Sequence, residues 1–155
     1  MKKRKINIAV LIACLVIVYF VAFLGSIFTS GNTNSAWYQQ NKPSITPPNW
    51  VFPIVWTALF FLIALSLYFA WTSKKADKPK IILVFTINFM LNIFWSILYF
   101  SLKNPTASFI ELIFLWLSVL LMVVVTYKIE RKSAYLLLPY LIWVLFAGVL
   151  NYLTI

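Results

Sequence analysis

Five blocks of apolar residues, at positions 6–28, 51–71, 81–100, 107–127 and 133–153, take up nearly the whole chain and leave it one environment in which to fold. A helix rises about 1.5 Å per residue, so roughly 20 apolar residues cross the ~30 Å hydrocarbon layer of a bilayer. Each block meets that length. Hydrocarbon offers no partner for open backbone groups, so a spanning segment must be a helix or part of a closed barrel. None of the blocks alternates polar and apolar residues as barrel strands do. The expected fold is therefore all-α, a membrane-embedded bundle of five transmembrane helices forming a single domain over residues 1–155. Composition agrees: 63% of the residues are hydrophobic and 10% charged, where a soluble domain carries about 25% charged residues.

The net charge of +10 would suggest nucleic acid in a soluble protein. Here its placement excludes that reading. Lys2, Lys3, Arg4 and Lys5 precede the first span; Lys74, Lys75, Lys78 and Lys80 lie between the second and third; Lys128, Arg131 and Lys132 lie between the fourth and fifth. The other side holds Lys42 and Lys103. By the positive-inside rule the N-terminus lies inside and the C-terminus outside. The basic loops then face anionic lipid, and no nucleic-acid partner is expected. Cys14 is the one cysteine, so no intramolecular disulfide can form, and it reads as a small packed residue of the first span. The first span continues past the length of a cleaved signal peptide and is expected to stay as an anchor.

One connection is long. Residues 29–50 are rich in Asn, Ser and Pro and carry Trp37, Tyr38 and Trp50. The stretch around Trp37 and Tyr38 suits a short interfacial helix, after which Pro43, Pro47 and Pro48 enforce an extended, stiff path. Loops of this length are commonly functional, and residues 35–50 read as a lid over one mouth of the bundle.

Polar residues inside the spans are the informative ones. Asn88, Asn92, Trp95, Ser96 and Tyr99 recur at steps of three and four on the third span and so share one face. Two asparagines are poorly placed against lipid; they either bond across helices or line a cavity. Pro139, Trp143, Ala147 and Asn151 form a stripe on the fifth span, and Pro53, Trp56 and Phe60 one on the second. Deep indoles beside Asn and Tyr suit a large, flat, mostly apolar ligand with a few polar groups. Tyr38 and Asn151 join this candidate set as its polar edge. Glu111 is the one acid within a span. Acids inside spans are usually functional or paired: Glu111 either handles a proton or substrate or, being near the outer end of the fourth span, reaches water or Lys103. The chain has no histidine and one cysteine, so no cluster for zinc or haem ligation stands out; tyrosines could ligate iron, but nothing marks one out, and His-based nucleophilic chemistry is excluded. No metal site is expected.

Three segments carry a resemblance: Trp37-Tyr38 followed by Pro43, Pro47-Pro48, Trp50-Val51-Phe52-Pro53 and Val55-Trp56-Thr57; Asn92 with Trp95-Ser96; and Pro139-Tyr140-Leu141, Trp143, Phe146-Ala147 and Asn151. They resemble the first loop and second helix, the third helix and the fifth helix of the TspO/MBR family, which includes the mitochondrial translocator protein. The resemblance implies a five-helix bundle, often a homodimer, that binds porphyrins such as protoporphyrin IX as ligand, with no other cofactor required. It places the ligand-binding positions at Trp37, Pro47, Trp56, Asn92, Trp95, Trp143 and Ala147. Some members are associated with light- and oxygen-dependent porphyrin breakdown, for which Trp56 and Trp143 are the candidate catalytic residues. The readings are thus a tetrapyrrole receptor or sensor, a porphyrin-degrading enzyme, or a transporter of porphyrins or other flat amphiphiles. The stretch after Tyr152 lacks the basic residue of the animal cholesterol-recognition pattern, so cholesterol import is not expected, and the bacterial cytoplasmic membrane is the expected location.

Overall fold

The computed structural model describes residues 6–155, so the basic run Lys2 to Lys5 lies outside the described residues. Five helices cross the membrane: α1 (Ile8–Thr29), α3 (Val51–Trp71), α4 (Lys78–Ser96, prolonged by a π-helical turn Ile97–Ser101), α5 (Pro105–Ile129) and α6 (Arg131–Tyr152). The short helix α2 (Ala36–Asn41) lies in the long loop, where the sequence suggested a short interfacial helix around Trp37 and Tyr38.

Polar caps set where the helices begin. The side chains of Asn7, Ser35, Asp77 and Asn104 each accept a bond from a backbone N–H of the following turn, satisfying donors that a helix leaves open. Asp77 also pairs with Lys80 at 3.4 Å. Pro79 and Pro105 occupy first-turn positions that need no N–H. These caps carry α4 and α5 a few residues beyond the apolar blocks, because lysines and prolines are acceptable at the membrane surface. Glu130 alone separates α5 from α6, with an extended backbone (φ −153°) that reverses the chain.

The spans close into a ring. α1 lies against α3, α3 against α6, α6 against α5, α5 against α4, and α4 back against α1. The longest shared face is that of α5 and α6, as their short connection requires. One half of this ring is solid. Val18, Ile63, Ala64, Ile81, Val119, Met122 and Leu137 are fully enclosed there, at the end bearing the lysine-rich loops. Two serines fasten α3 to α6 in that half: Ser133 Oγ donates to the Ser66 carbonyl at 2.8 Å, which leaves the Ser66 hydroxyl to donate to Ser133 Oγ, also at 2.8 Å. The outward faces, such as Ile12, Val16, Phe20 and Phe23 on α1, are apolar and exposed, as lipid requires. Pro139 sits inside α6 without ending it.

Candidate ligand cavity

At the other end the ring is hollow. A cavity of about 370 Å³ opens between α1, α3, α4 and α6 beneath the loop, a volume within the range of small-molecule sites. Each helix contributes through its own spacing. α1 presents Ala22, Gly25 and Ser26, whose small side chains leave the space. Gly25 lies close to α4: a methyl group there would touch Ser96 Oγ at 3.8 Å and Asn92 Oδ1 at 3.9 Å, ordinary contact distances. α3 presents Pro53, Trp56 and Phe60; α4 presents Asn92, Trp95, Ser96 and Tyr99; α6 presents Trp143, Ala147 and Asn151. Ser26 of α1 and Pro53 of α3 line the cavity and are also exposed, so the wall reaches the outer surface of the bundle at these two residues.

The loop is seated on an aromatic ledge. Tyr38, Tyr99 and Phe100 form a buried cluster flanked by Trp37 and Trp95. Trp95 stacks on Tyr99 at 5.2 Å, and Trp37 meets Tyr99 edge-on at 5.6 Å. Burial, with the Tyr99 phenol beside it, pushes the Tyr38 phenol up to about 12. Tyr38 therefore stays neutral at physiological pH.

The polar side chains divide into saturated and unsaturated. Asn88 donates to Ser118 Oγ at 2.8 Å and accepts from the Tyr140 hydroxyl at 3.3 Å, tying α4 to α5 and α6. Asn151 is equally engaged: it accepts from Trp95 Nε1 at 3.1 Å and Ser108 Oγ at 3.0 Å, and donates to the Pro105 carbonyl at 2.9 Å. Asn92 donates to the Tyr140 hydroxyl at 3.2 Å, and its Oδ1 has no partner among the described residues. The indole N–H groups of Trp56 and Trp143 are likewise free of hydrogen bonds there. Trp56 packs on Phe60 at 5.4 Å and Trp143 on Phe52 at 6.0 Å.

Of the residues singled out from the sequence, Tyr38, Trp56, Asn92, Trp95, Trp143, Ala147 and Asn151 meet on this one cavity. Trp37 and Pro47 are not on its wall; Trp37 instead supports Tyr99. The two alternatives for the asparagine row both occur, Asn88 as a tie between helices and Asn92 on the cavity. Lys42, Thr46, Asn49 and Gly25 also line the space. No periodicity marks them, since three lie in the irregular loop and the fourth is an absence of side chain.

Glu111 departs from its expected setting. It does not reach water or Lys103: the residue is 6% exposed, and neither carboxyl oxygen has a hydrogen-bond partner among the described residues. The helix begins early enough, at Pro105, to put Glu111 on the inward face with Ser108, Leu115 and Ser118, all of them buried. It does not line the cavity.

Comparison with known proteins agrees with the architecture. Residues 13–154 match the TspO/MBR family model. The chain is 40% identical over 146 residues to the tryptophan-rich protein TspO of Archaeoglobus fulgidus, covering 94% of this chain and 95% of that one. It is 35% identical to the tryptophan-rich protein TspO of Chlorobaculum tepidum, with 94% of each chain covered. The human translocator protein is 29% identical over 134 residues, covering 84% of this chain and 79% of that protein. A ring of five spans, an aromatic cavity under the first long loop and similarity along nearly the full chain lead to one assignment: this protein belongs to the TspO/MBR family.

Proposed function

We propose that the chain is a membrane receptor that binds porphyrins of the protoporphyrin IX type in the cavity under its first loop. The observation that carries this reading is an aromatic wall whose polar groups are left unspent. Trp56 and Trp143 offer flat apolar surface and free N–H donors, and Asn92 Oδ1 offers an acceptor for a pyrrole N–H. A macrocycle suits that combination because its faces are apolar while its centre and rim are polar. Ser26 and Pro53, on the wall and also exposed, mark where its edge would enter. Porphyrin is here the ligand, and no resident cofactor is required.

The test is a titration of the detergent-solubilised protein with protoporphyrin IX, read as quenching of tryptophan fluorescence. Saturable binding is expected. Asn92→Ala should weaken it about tenfold, the factor set by losing roughly one buried hydrogen bond, and Trp143→Phe by a smaller factor because the ring is kept. Unchanged affinity in both variants would remove the cavity assignment.

A second reading is favoured by Trp56 and Trp143 facing the same space: light- and oxygen-dependent breakdown of the bound porphyrin, begun at one of these indoles. A defined product must then vanish on replacing either tryptophan while binding persists. Product formed equally by denatured protein would dispose of the enzyme.

The segregation of Lys74, Lys75, Lys128 and Lys132 from the cavity end supports an N-in, C-out orientation in a bacterial cytoplasmic membrane. Family membership supports a homodimer. Cysteines placed at Lys42 and Lys75 should label from the outside and inside of the cell, respectively. Light scattering on the detergent-solubilised protein should give twice the mass of one chain.

A further inference from the structure

The cavity is polarised along its depth. Its inner part is walled by Trp56, Phe60 and Trp143 and carries no charge; at the loop end stands Lys42, the one charged side chain on the wall. The protein does little to neutralise it. The whole sequence contains three acids, Asp77, Glu111 and Glu130. Asp77 and Glu130 lie at the opposite end of the bundle, at the start of α4 and between α5 and α6, and Glu111 is enclosed in α5 away from the cavity. Lys42 has no ion pair among the described residues. Its ammonium instead stands 6.0 Å from the centre of the Tyr38 ring, at the limit of cation–π attraction.

Two more polar groups surround this end. Thr46 Oγ1 is buried with no hydrogen-bond partner. Asn49 Nδ2 makes only long bonds, 3.3 Å to the Thr33 carbonyl and 3.4 Å to Asn34 Oδ1, and its Oδ1, an acceptor, is buried with no partner. A buried hydroxyl without a partner costs free energy unless something supplies one. The backbone holds these groups in place: the Lys42 N–H donates to the Tyr38 carbonyl at 2.9 Å, and Thr46 N–H to the Pro43 carbonyl at 3.0 Å.

We propose that Lys42 and the Thr46 hydroxyl form a carboxylate subsite at the loop end of the cavity. The site then selects acidic amphiphiles and orients them, with the acid group toward the loop and the apolar body against Trp56 and Trp143. A carboxylate accepts charge-assisted bonds from the ammonium and a further bond from the hydroxyl. It meets both unmet needs at once, where a neutral ester meets neither well.

This inference rests on the porphyrin-receptor reading, and one comparison separates the two: protoporphyrin IX against its dimethyl ester, at neutral pH in lipid-free detergent. The wild-type protein should bind the free acid about tenfold more tightly, which corresponds to ~1.4 kcal/mol. Lys42→Gln should erase that preference by weakening the acid while leaving the ester within about twofold; Lys42→Arg should keep most of it. Thr46→Val should reduce it by a smaller factor. Ester binding reports that each variant is folded. Equal loss for acid and ester in Lys42→Gln, or a wild-type protein indifferent to esterification, overturns the subsite and leaves the receptor standing. If neither compound binds saturably, the receptor reading falls and takes the subsite with it. Lipid phosphate shares this anionic chemistry, so the titration is repeated in phosphatidylcholine nanodiscs with and without phosphatidylglycerol. Competition by phosphatidylglycerol against the acid but not the ester would assign the subsite to lipid headgroups and overturn its role in ligand selection.

Discussion

The two halves of the bundle are built from the same five helices under opposite rules. In the lysine-rich half, side chains fill the ring and each buried hydroxyl has a partner, as at Ser66 and Ser133. In the loop half, α1 retreats to Ala22 and Gly25 and bulky rings line a void; Thr46 Oγ1 is buried without a partner, and Asn92 Oδ1 and the indole N–H groups of Trp56 and Trp143 have none among the described residues. Lipid gives helices no hydrophobic reason to associate, so packing and internal polar bonds must hold them. The filled half does that, which frees the other half to be incomplete. Stability and binding should therefore separate along the membrane normal.

Substitutions can break that contrast. The largest effect is expected from Leu137→Ala, at a fully enclosed position: about 2–5 kcal/mol of stability from the lost contacts and the cavity left behind. It should be seen as a lower thermal midpoint in detergent with porphyrin affinity unchanged at low temperature. Tyr140→Phe comes next. Its hydroxyl joins Asn88 and Asn92, and removing it leaves buried amide atoms unpaired at a cost of about 1–3 kcal/mol. Because Tyr140 stands at the boundary, this variant should lower both midpoint and affinity. Ala147→Leu adds bulk to the void and should weaken porphyrin binding at least about tenfold, ~1.4 kcal/mol, with the midpoint unchanged. The smallest effect is Ser133→Ala, roughly 1.2 kcal/mol, for two polar bonds between membrane helices at an average worth of about 0.6 kcal/mol each. If Leu137→Ala damaged binding as much as folding, or Ala147→Leu unfolded the protein, the division of labour would not hold.

How much of this could be read from the residues follows the same boundary. Spans announce themselves by length and apolarity, and all five appear within a few residues of their apolar blocks; the caps at Asp77 and Asn104 account for most of the shift. The cavity wall was legible where it is helical, because steps of three and four put Asn92 with Trp95, and Trp143 with Ala147 and Asn151, on shared faces. What spacing cannot give is how a polar group is spent. Asn92 and Asn151 look alike in the sequence, yet three neighbours claim Asn151 and one claims Asn92. Glu111 looked shallow when counted from the end of its apolar block, but its azimuth around the helix, set by packing on α4 and α6, decides its burial. The loop contributors stayed hidden because an irregular segment has no period.

The π-helical turn at Ile97–Ser101 has a consequence for how the long loop is mounted. A π turn holds one residue more than an α turn and leaves successive side chains separated by a smaller angle, so Tyr99 and Phe100 both point inward and touch at 5.0 Å. Tyr38 then rests on Phe100 at 5.8 Å. The berth for the loop is thus made by a single surplus residue in the helix beneath it. Deleting one position from that turn would rewind it as ordinary α-helix, swing one of the two rings aside, and unseat the loop while the five spans kept their arrangement.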